Sequence, residues 1–240
     1  MHVFKIGVLP VLYTFFLHLC YLHACVMNYR VIDLSHPIET GMPVFPGTPP
    51  VKVISLHRFQ QDGFNEQKLE LTTHTGTHLD TPFHLLEEGN NLDTLPVERF
   101  MGSCLKVDCR RLPAGATIPL DLLQPLEDQI RTVDFVLFHT GWSRFWGTPS
   151  YAAGFPVPGA EAATFLASFD LKGLGIDALS FDPADSADLP AHHILLGKGL
   201  VLVENLVHLE QLPDTGAVFC CFPLRLAGGD GSPVRAAAFL

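Results

Sequence analysis

The sequence is short of positive charge. Its 15 Lys and Arg stand against 25 Asp and Glu, a formal net charge of -10, and only 17% of the 240 residues are charged. No basic run offsets that balance locally, so the molecular field repels phosphate backbones and anionic lipid, which disfavours nucleic acid as a partner. Metal-finger spacing is missing as well. Of the six cysteines, Cys20 and Cys25 lie in an apolar leader, while Cys104, Cys109, Cys220 and Cys221 form no C-x-x-C pair. They read as small buried hydrophobes in a reducing compartment. A G-x-S-x-G elbow is absent, which argues against a serine nucleophile, and H-E-x-x-H is absent, which argues against a helix-borne zinc protease. The 20 Gly and 19 Pro show no period, and 48% of the chain is hydrophobic. Collagen-like and disordered chains are thereby excluded, and one globular domain of mixed α/β class is specified.

The leader needs its own reading. Residues 6–26 are nearly uncharged and follow a single Lys5. One reading is an export signal or membrane anchor, although Pro10 and His18 interrupt the run. The other is an upstream extension, because Met27 opens a segment that turns at once into the strand-like Val-Ile-Asp-Leu of residues 31–34. On that reading the working protein is 27–240 and cytoplasmic; on the first it is exported or anchored, and only then is a membrane a partner. Residues 1–26 stand outside the fold either way.

Along the rest of the chain, strands are expected at Arg30 to Leu34, Val51 to Phe59, Lys68 to Thr73, Asp134 to His139, Gly173 to Ile176, Leu200 to Glu204 and Ala217 to Phe222. Helical spacing appears at Leu120 to Ile130 and Gly159 to Ser168, with a short helix between Pro190 and Leu196. Residues 41–50 hold four prolines and two glycines, an extended turn-rich segment carrying the aromatic Phe45.

The 12 histidines are the positive signal, since imidazole is both a common metal ligand and a proton carrier near neutral pH. Three of them, with an aspartate, fall in His74-Thr-Gly-Thr-His78-Leu-Asp80-Thr-Pro-Phe-His84. All four positions share one parity, so an extended chain projects His74, His78, Asp80 and His84 to one side and Leu79 and Phe83 to the other. A helix would carry Asp80 away from His74, and Pro82 forbids its continuation. Two imidazoles and a carboxylate suit a first-row divalent cation with open positions. An isolated H-x-x-x-H pair is more often surface or core by roughly three to one, but this pair has company. Glu204 ends the apolar run Leu200 to Val203, where it is either a buried carboxylate needing a cation or a strand end emerging into water. His193, beside His192, should point elsewhere. Asp177 and Asp182 are either partners of a ligand or turn formers.

The segment His74 to His84 resembles the signature of the metal-dependent cyclase family, whose best-known members are the bacterial kynurenine formamidases, with isatin hydrolases close by. The resemblance extends to Asp33-Leu-Ser-His-Pro-Ile38, Met42-Pro-Val-Phe-Pro-Gly47, Thr140-Gly-Trp142, Leu189-Pro-Ala-His-His193 and Glu204-Asn-Leu206. It covers essentially everything after Met27. It implies a swivelling β/β/α fold with a barrel-like β core and outer helices, usually assembled as a homodimer. It also implies one or two divalent metals per chain, Zn or Mn, the first on His74, His78 and Asp80, the second on His192 with Asp80 and Glu204 shared. His84 matches the family's catalytic acid/base. The activity implied is hydrolysis of an amide in a small-molecule substrate, N-formylkynurenine first and a cyclic amide such as isatin second. A catalytically silent metal-binding or ligand-binding module is the rival from another class. Phe45, Trp142 and Trp146 are candidates for an aromatic substrate wall and equally good as core.

Overall fold

The structure, a computed structural model, describes residues 30–240; the leader and its alternative start at Met27 lie outside the described residues. One nine-stranded sheet organises the chain from Val31 to Leu240. Its middle is parallel: β5 (Met101–Asp108), β7 (Phe135–His139), β9 (Gly173–Ile176) and β10 (Val201–Glu204) lie side by side. Antiparallel strands extend both flanks. On one side run β11 (Ala217–Cys220), β13 (Ala237–Phe239) and β1 (Val31–Asp33); on the other, β4 (His78–Asp80) and β12 (Gly231–Pro233). Helices supply the outer layer: α2 (Leu120–Leu123), α3 (Glu127–Ile130), α4 (Ala160–Leu166) and α5 (Pro190–Gly197). The sheet curls into a half-barrel, the mixed α/β arrangement implied by the resemblance.

Both faces of β7, β9 and β10 are buried, which is why these strands read as unbroken apolar runs. Along β7 the alternation sorts the side chains into two cores. Val136 and Phe138 join the helix side with Leu166, Leu195 and Leu202, while Phe135 and Leu137 join Leu34, Phe219 and Ala238 on the other. The four described cysteines are free and buried.

Three expectations change. The helix expected over Leu120 to Ile130 is two short helices joined by a 3-10 turn, Gln124–Leu126, because Pro125 has no N–H to continue the ladder. The strands β2 (Lys52–His57) and β3 (Glu66–Glu70) form a separate hairpin capped by α1 (Phe59–Asp62), and their alternation does not mean half-burial. Leu56 is 51% exposed and Leu69 52%. The segment 73–84 is extended only at β4, with turns before it and the 3-10 turn Pro82–His84 after it, so parity alone does not bring its polar side chains together.

Three aromatic rings pack in series. The ring of His36 lies 3.8 Å from that of Trp146 at an interplanar angle of 5°, and Trp146 meets Tyr151 edge-on at 4.9 Å. His36 Nε2 is buried without a hydrogen-bond partner. Burial therefore disfavours its imidazolium and, with the nearby His208, pulls its pKa down to about 4. A depressed histidine stabilises the fold above its unfolded pKa near 6.5, and that contribution disappears as pH falls toward 4. His36→Phe keeps a ring in the stack and removes the titration. Its denaturant midpoint should fall less than the native protein's between pH 6.5 and 4; parallel falls would show that His36 does not couple to folding.

Candidate active site

Strand pairing assembles the site. In the β4/β10 register Glu204 faces His78 and Leu202 faces Asp80, while in β4/β12 Gly231 faces Asp80. A glycine is required there, since a Cβ on Gly231 would stand 2.7 Å from Cε1 of His74. His192 enters from the first turn of α5, whose Ala191 and His192 N–H groups both donate to Asp182. His78, Asp80, His192 and Glu204 are all 5% exposed or less, and His74 and His84 are partly buried beside them. They line a cavity of about 240 Å³ whose opposite wall is apolar, including Val44, Phe45, Leu179 and Leu189.

Besides His74, His84 and Asp230, the distances define two donor sets that overlap at Asp80. His78 Nε2 is 3.3 Å from Asp80 Oδ1 and 3.4 Å from Glu204 Oε2, and His74 Nδ1 is 2.6 Å from Asp80 Oδ1. His192 Nε2 is 3.2 Å from Glu204 Oε1 and 3.8 Å from Asp80 Oδ2. The donor atoms of His74, His78 and Asp80 lie within 4.8 Å of one another, and so do those of Asp80, His192 and Glu204. Asp80 belongs to both sets. Imidazole nitrogens and carboxylate oxygens converging at this spacing suit one or two divalent cations, and two buried carboxylates this close are costly without positive charge between them.

The carboxylates favour protons on the imidazoles around them. Burial opposes the His74 imidazolium, yet Asp80 on Nδ1 and Asp230 on Nε2, at 2.9 Å, outweigh it and raise its pKa to about 9. Burial likewise opposes His192, but Asp182 on Nδ1 at 2.7 Å and Glu204 on Nε2 raise it to about 10. His78 moves up for the same reason, burial being overcome by Asp80 and Glu204. Burial also works against the Asp80 carboxylate, but its imidazole neighbours His78 and His74 hold its pKa well below the usual range. His84 differs. Burial, joined by the positive neighbours His74 and His192, lowers its pKa against the pull of Asp80 and Glu204, so it stays neutral and able to accept a proton.

The structure brings most of the residues named from the sequence together. His74, His78, Asp80, His84, His192 and Glu204 converge, Phe45 lines the cavity, and His193 points into solvent. Asp182 is the partner of His192, whereas Asp177 accepts hydrogen bonds from Thr140 and Gly141 and shapes a turn. Trp142 is a correction. It is 6% exposed, lies in the core against Phe145, and donates from Nε1 to the Tyr151 carbonyl, so it forms no part of the cavity wall. Trp146 is likewise turned into the His36 stack. Asp230 was not foreseen: its carboxylate reaches His74, and its Oδ2 is 3.6 Å from His84 Nδ1. Its Gly-Gly-Asp-Gly context signals only a turn.

The Cyclase family model matches residues 32–183. The chain belongs to the cyclase family. A kynurenine formamidase of Salinibacter ruber (strain DSM 13855 / M31) is 34% identical over 208 residues, covering 86% of this chain and 95% of that protein. The fold matches an isatin hydrolase solved with the product analogue thioisatinate, with a TM-score of 0.82, 23% identity and coverage of 98% and 99%. A predicted metal-dependent hydrolase from Bacillus stearothermophilus matches with a TM-score of 0.72 at 30% identity, over 88% of this chain and 98% of that one. This cyclase-family chain is accordingly an amidohydrolase, and the silent binding module is set aside.

If His74 and His192 are ligands of a divalent ion, that ion must displace the protons their carboxylate neighbours favour. Zinc binding near pH 7 should therefore release at least one proton per chain, read from calorimetric heats in buffers of different ionisation enthalpy. Binding with no proton release would contradict both imidazoles as ligands.

Proposed function

We propose that the protein hydrolyses the formyl amide of N-formylkynurenine to kynurenine and formate. The observation that carries this is His84 lining a small cavity together with the shared carboxylate cluster and an apolar wall, in a chain whose relatives include kynurenine formamidases. His74, His78 and Asp80 would hold one divalent ion, and His192, Asp80 and Glu204 a second; imidazole with carboxylate suits zinc or manganese. Such an ion polarises a carbonyl and lowers the pKa of water toward neutrality.

The chain's own residues do the rest. His84 accepts a proton from the water that attacks the formyl carbon, and returns it to the aniline nitrogen as the C–N bond breaks. Asp230, beside His84 and hydrogen-bonded to His74, orients the acid/base relative to the cluster. Phe45, Val44 and Leu189 give the aromatic ring of the substrate an apolar face and exclude water from it. Hydrolysis of a cyclic amide such as isatin is the second reading, favoured by the match in fold to the isatin hydrolase.

The hairpin supports a homodimer. A two-stranded ribbon is marginal alone in water, and this one presents Phe59, Phe64, Leu56 and Leu69 outward, a surface suited to a second copy of the chain. On a start at Met27 the activity is cytoplasmic, and on the alternative residues 1–26 export or anchor it. Among the described residues no helix is long and apolar enough to cross a membrane.

Protein from Met27, stripped with chelator and reloaded with zinc or manganese, should hydrolyse N-formylkynurenine only when loaded. Turnover of isatin alone would move the second reading to the front. His84→Ala should keep its metal content and lose about 10²- to 10⁴-fold in kcat; stoichiometric loss of metal would make His84 a ligand. Phe59→Ser with Phe64→Ser should shift the native mass in solution from dimer to monomer, and an unchanged dimer would refute the hairpin contact.

A further inference from the structure

His78 differs from the other candidate ligands in what its far ring nitrogen meets. His74 and His192 each turn that nitrogen to a carboxylate, Asp230 and Asp182, whereas His78 Nδ1 lies 2.8 Å from the backbone carbonyl of Gly76. A carbonyl only accepts, so Nδ1 must carry a proton, and Nε2 is the nitrogen left to offer a lone pair to an ion once any proton of its own is displaced. The carbonyl does not stand free. Asn205 Nδ2 donates to it at 2.9 Å, and Tyr151 donates its phenolic proton to Asn205 Oδ1 at 2.6 Å. Tyr151, Asn205 and His78 are all 3% exposed or less.

We propose that Tyr151 and Asn205 are positioning residues that, through the Gly76 carbonyl, hold His78 in the tautomer that aims its Nε2 lone pair between Asp80 and Glu204. The inference rests on the reading of His78 as a metal ligand. Asn205 grips the preceding loop twice: its side chain holds the Gly76 carbonyl, and its own carbonyl accepts from Thr77 Oγ1 at 2.6 Å. The loop needs that grip, because Gly76 sits at φ +62 with Met42 Cε only 2.8 Å from where a Cβ would be. Tyr151 fixes which way the amide faces. With Oδ1 engaged by the phenol, Nδ2 is left for Gly76; without it, Oδ1 becomes a buried acceptor lacking its donor, and the amide loses the contact that holds it in place. Tyr151 is itself fastened from behind, its carbonyl accepting from Trp142 Nε1 at 3.1 Å and its ring packed on Trp146. The link to the ligand therefore runs from the core aromatics to Asn205, then to the Gly76 carbonyl, and then to His78.

The test is zinc affinity of the full chain at pH 7, measured by chelator competition. Tyr151→Phe removes one hydroxyl, and Asn205→Gly removes the amide while tolerating the φ of +57 at that position. Each should weaken zinc binding about tenfold, as loss of a ligand's supporting hydrogen bond does. The double variant should bind no more weakly than Asn205→Gly alone, since Tyr151 acts only through Asn205. Ile118→Ala, a core cavity on β6 (Thr117–Ile118), should lower stability and leave zinc affinity in place. Affinity within twofold of native in Tyr151→Phe, multiplying effects in the double variant, or an equal loss in Ile118→Ala would overturn the proposal. So would ring nitrogen-15 spectra of the zinc-loaded native protein showing His78 protonated at Nε2, a readout that does not require any variant to fold. His78→Ala with native zinc affinity would instead overturn the reading of the site.

Discussion

Everything at this site turns on one buried carboxylate. Asp80 is 1% exposed, sits in a three-residue strand between two others, and has three imidazoles within 4 Å of its oxygens. An uncompensated ion there would cost several kcal/mol, so the surrounding fold is obliged to bring positive charge to it. The carboxylates favour protons on His74 and His192, and a divalent ion held by these residues would supply the same positive charge. The same demand explains the ring of outer acids: Asp230 and Asp182 each take the far nitrogen of a histidine whose near nitrogen faces the cluster.

That arrangement separates two kinds of histidine by environment alone. His74 and His192 are bracketed by carboxylates and hold protons well past neutrality, while His84, a few residues along, is neutral. The proposed metal-assisted hydrolysis would use both behaviours within a few ångströms of each other: side chains that bind a cation, and one that gives and takes a proton near neutral pH. The division of labour follows from which side chains flank each ring.

Much of this was legible in the sequence, for a physical reason. A polar side chain inside an apolar strand run, such as Glu204 after Leu-Val-Leu-Val, is conspicuous because burial makes it expensive, and His74, His78 and Asp80 are conspicuous because they crowd one short stretch. The central strands β7, β9 and β10 were readable because burial on both faces leaves them uniformly apolar. β5 escaped notice, since Ser103 and Lys106 interrupt its apolar character, and both are satisfied by long-range partners, Asp134 and the Leu212 carbonyl. Trp142 was misplaced because an aromatic beside a Thr-Gly turn looks the same whether it faces a ligand or a core. Asp230 and Tyr151 were out of reach. Each meets the site only through the folded sheet, from sequence separations that no local pattern encodes.

The pairing of β12 with β4 sets a condition on when the site can exist. Gly231 lies opposite Asp80, and Asp230 grips His74 across 156 positions of sequence, so the histidine segment emerges from the ribosome long before the strand that completes it. During synthesis, Asp80 and its imidazoles wait at an unpaired strand edge. A chain terminated just before Asp230 would retain all six residues assigned to metal and proton transfer while lacking the strand that closes over them, making late truncation as damaging as loss of a ligand.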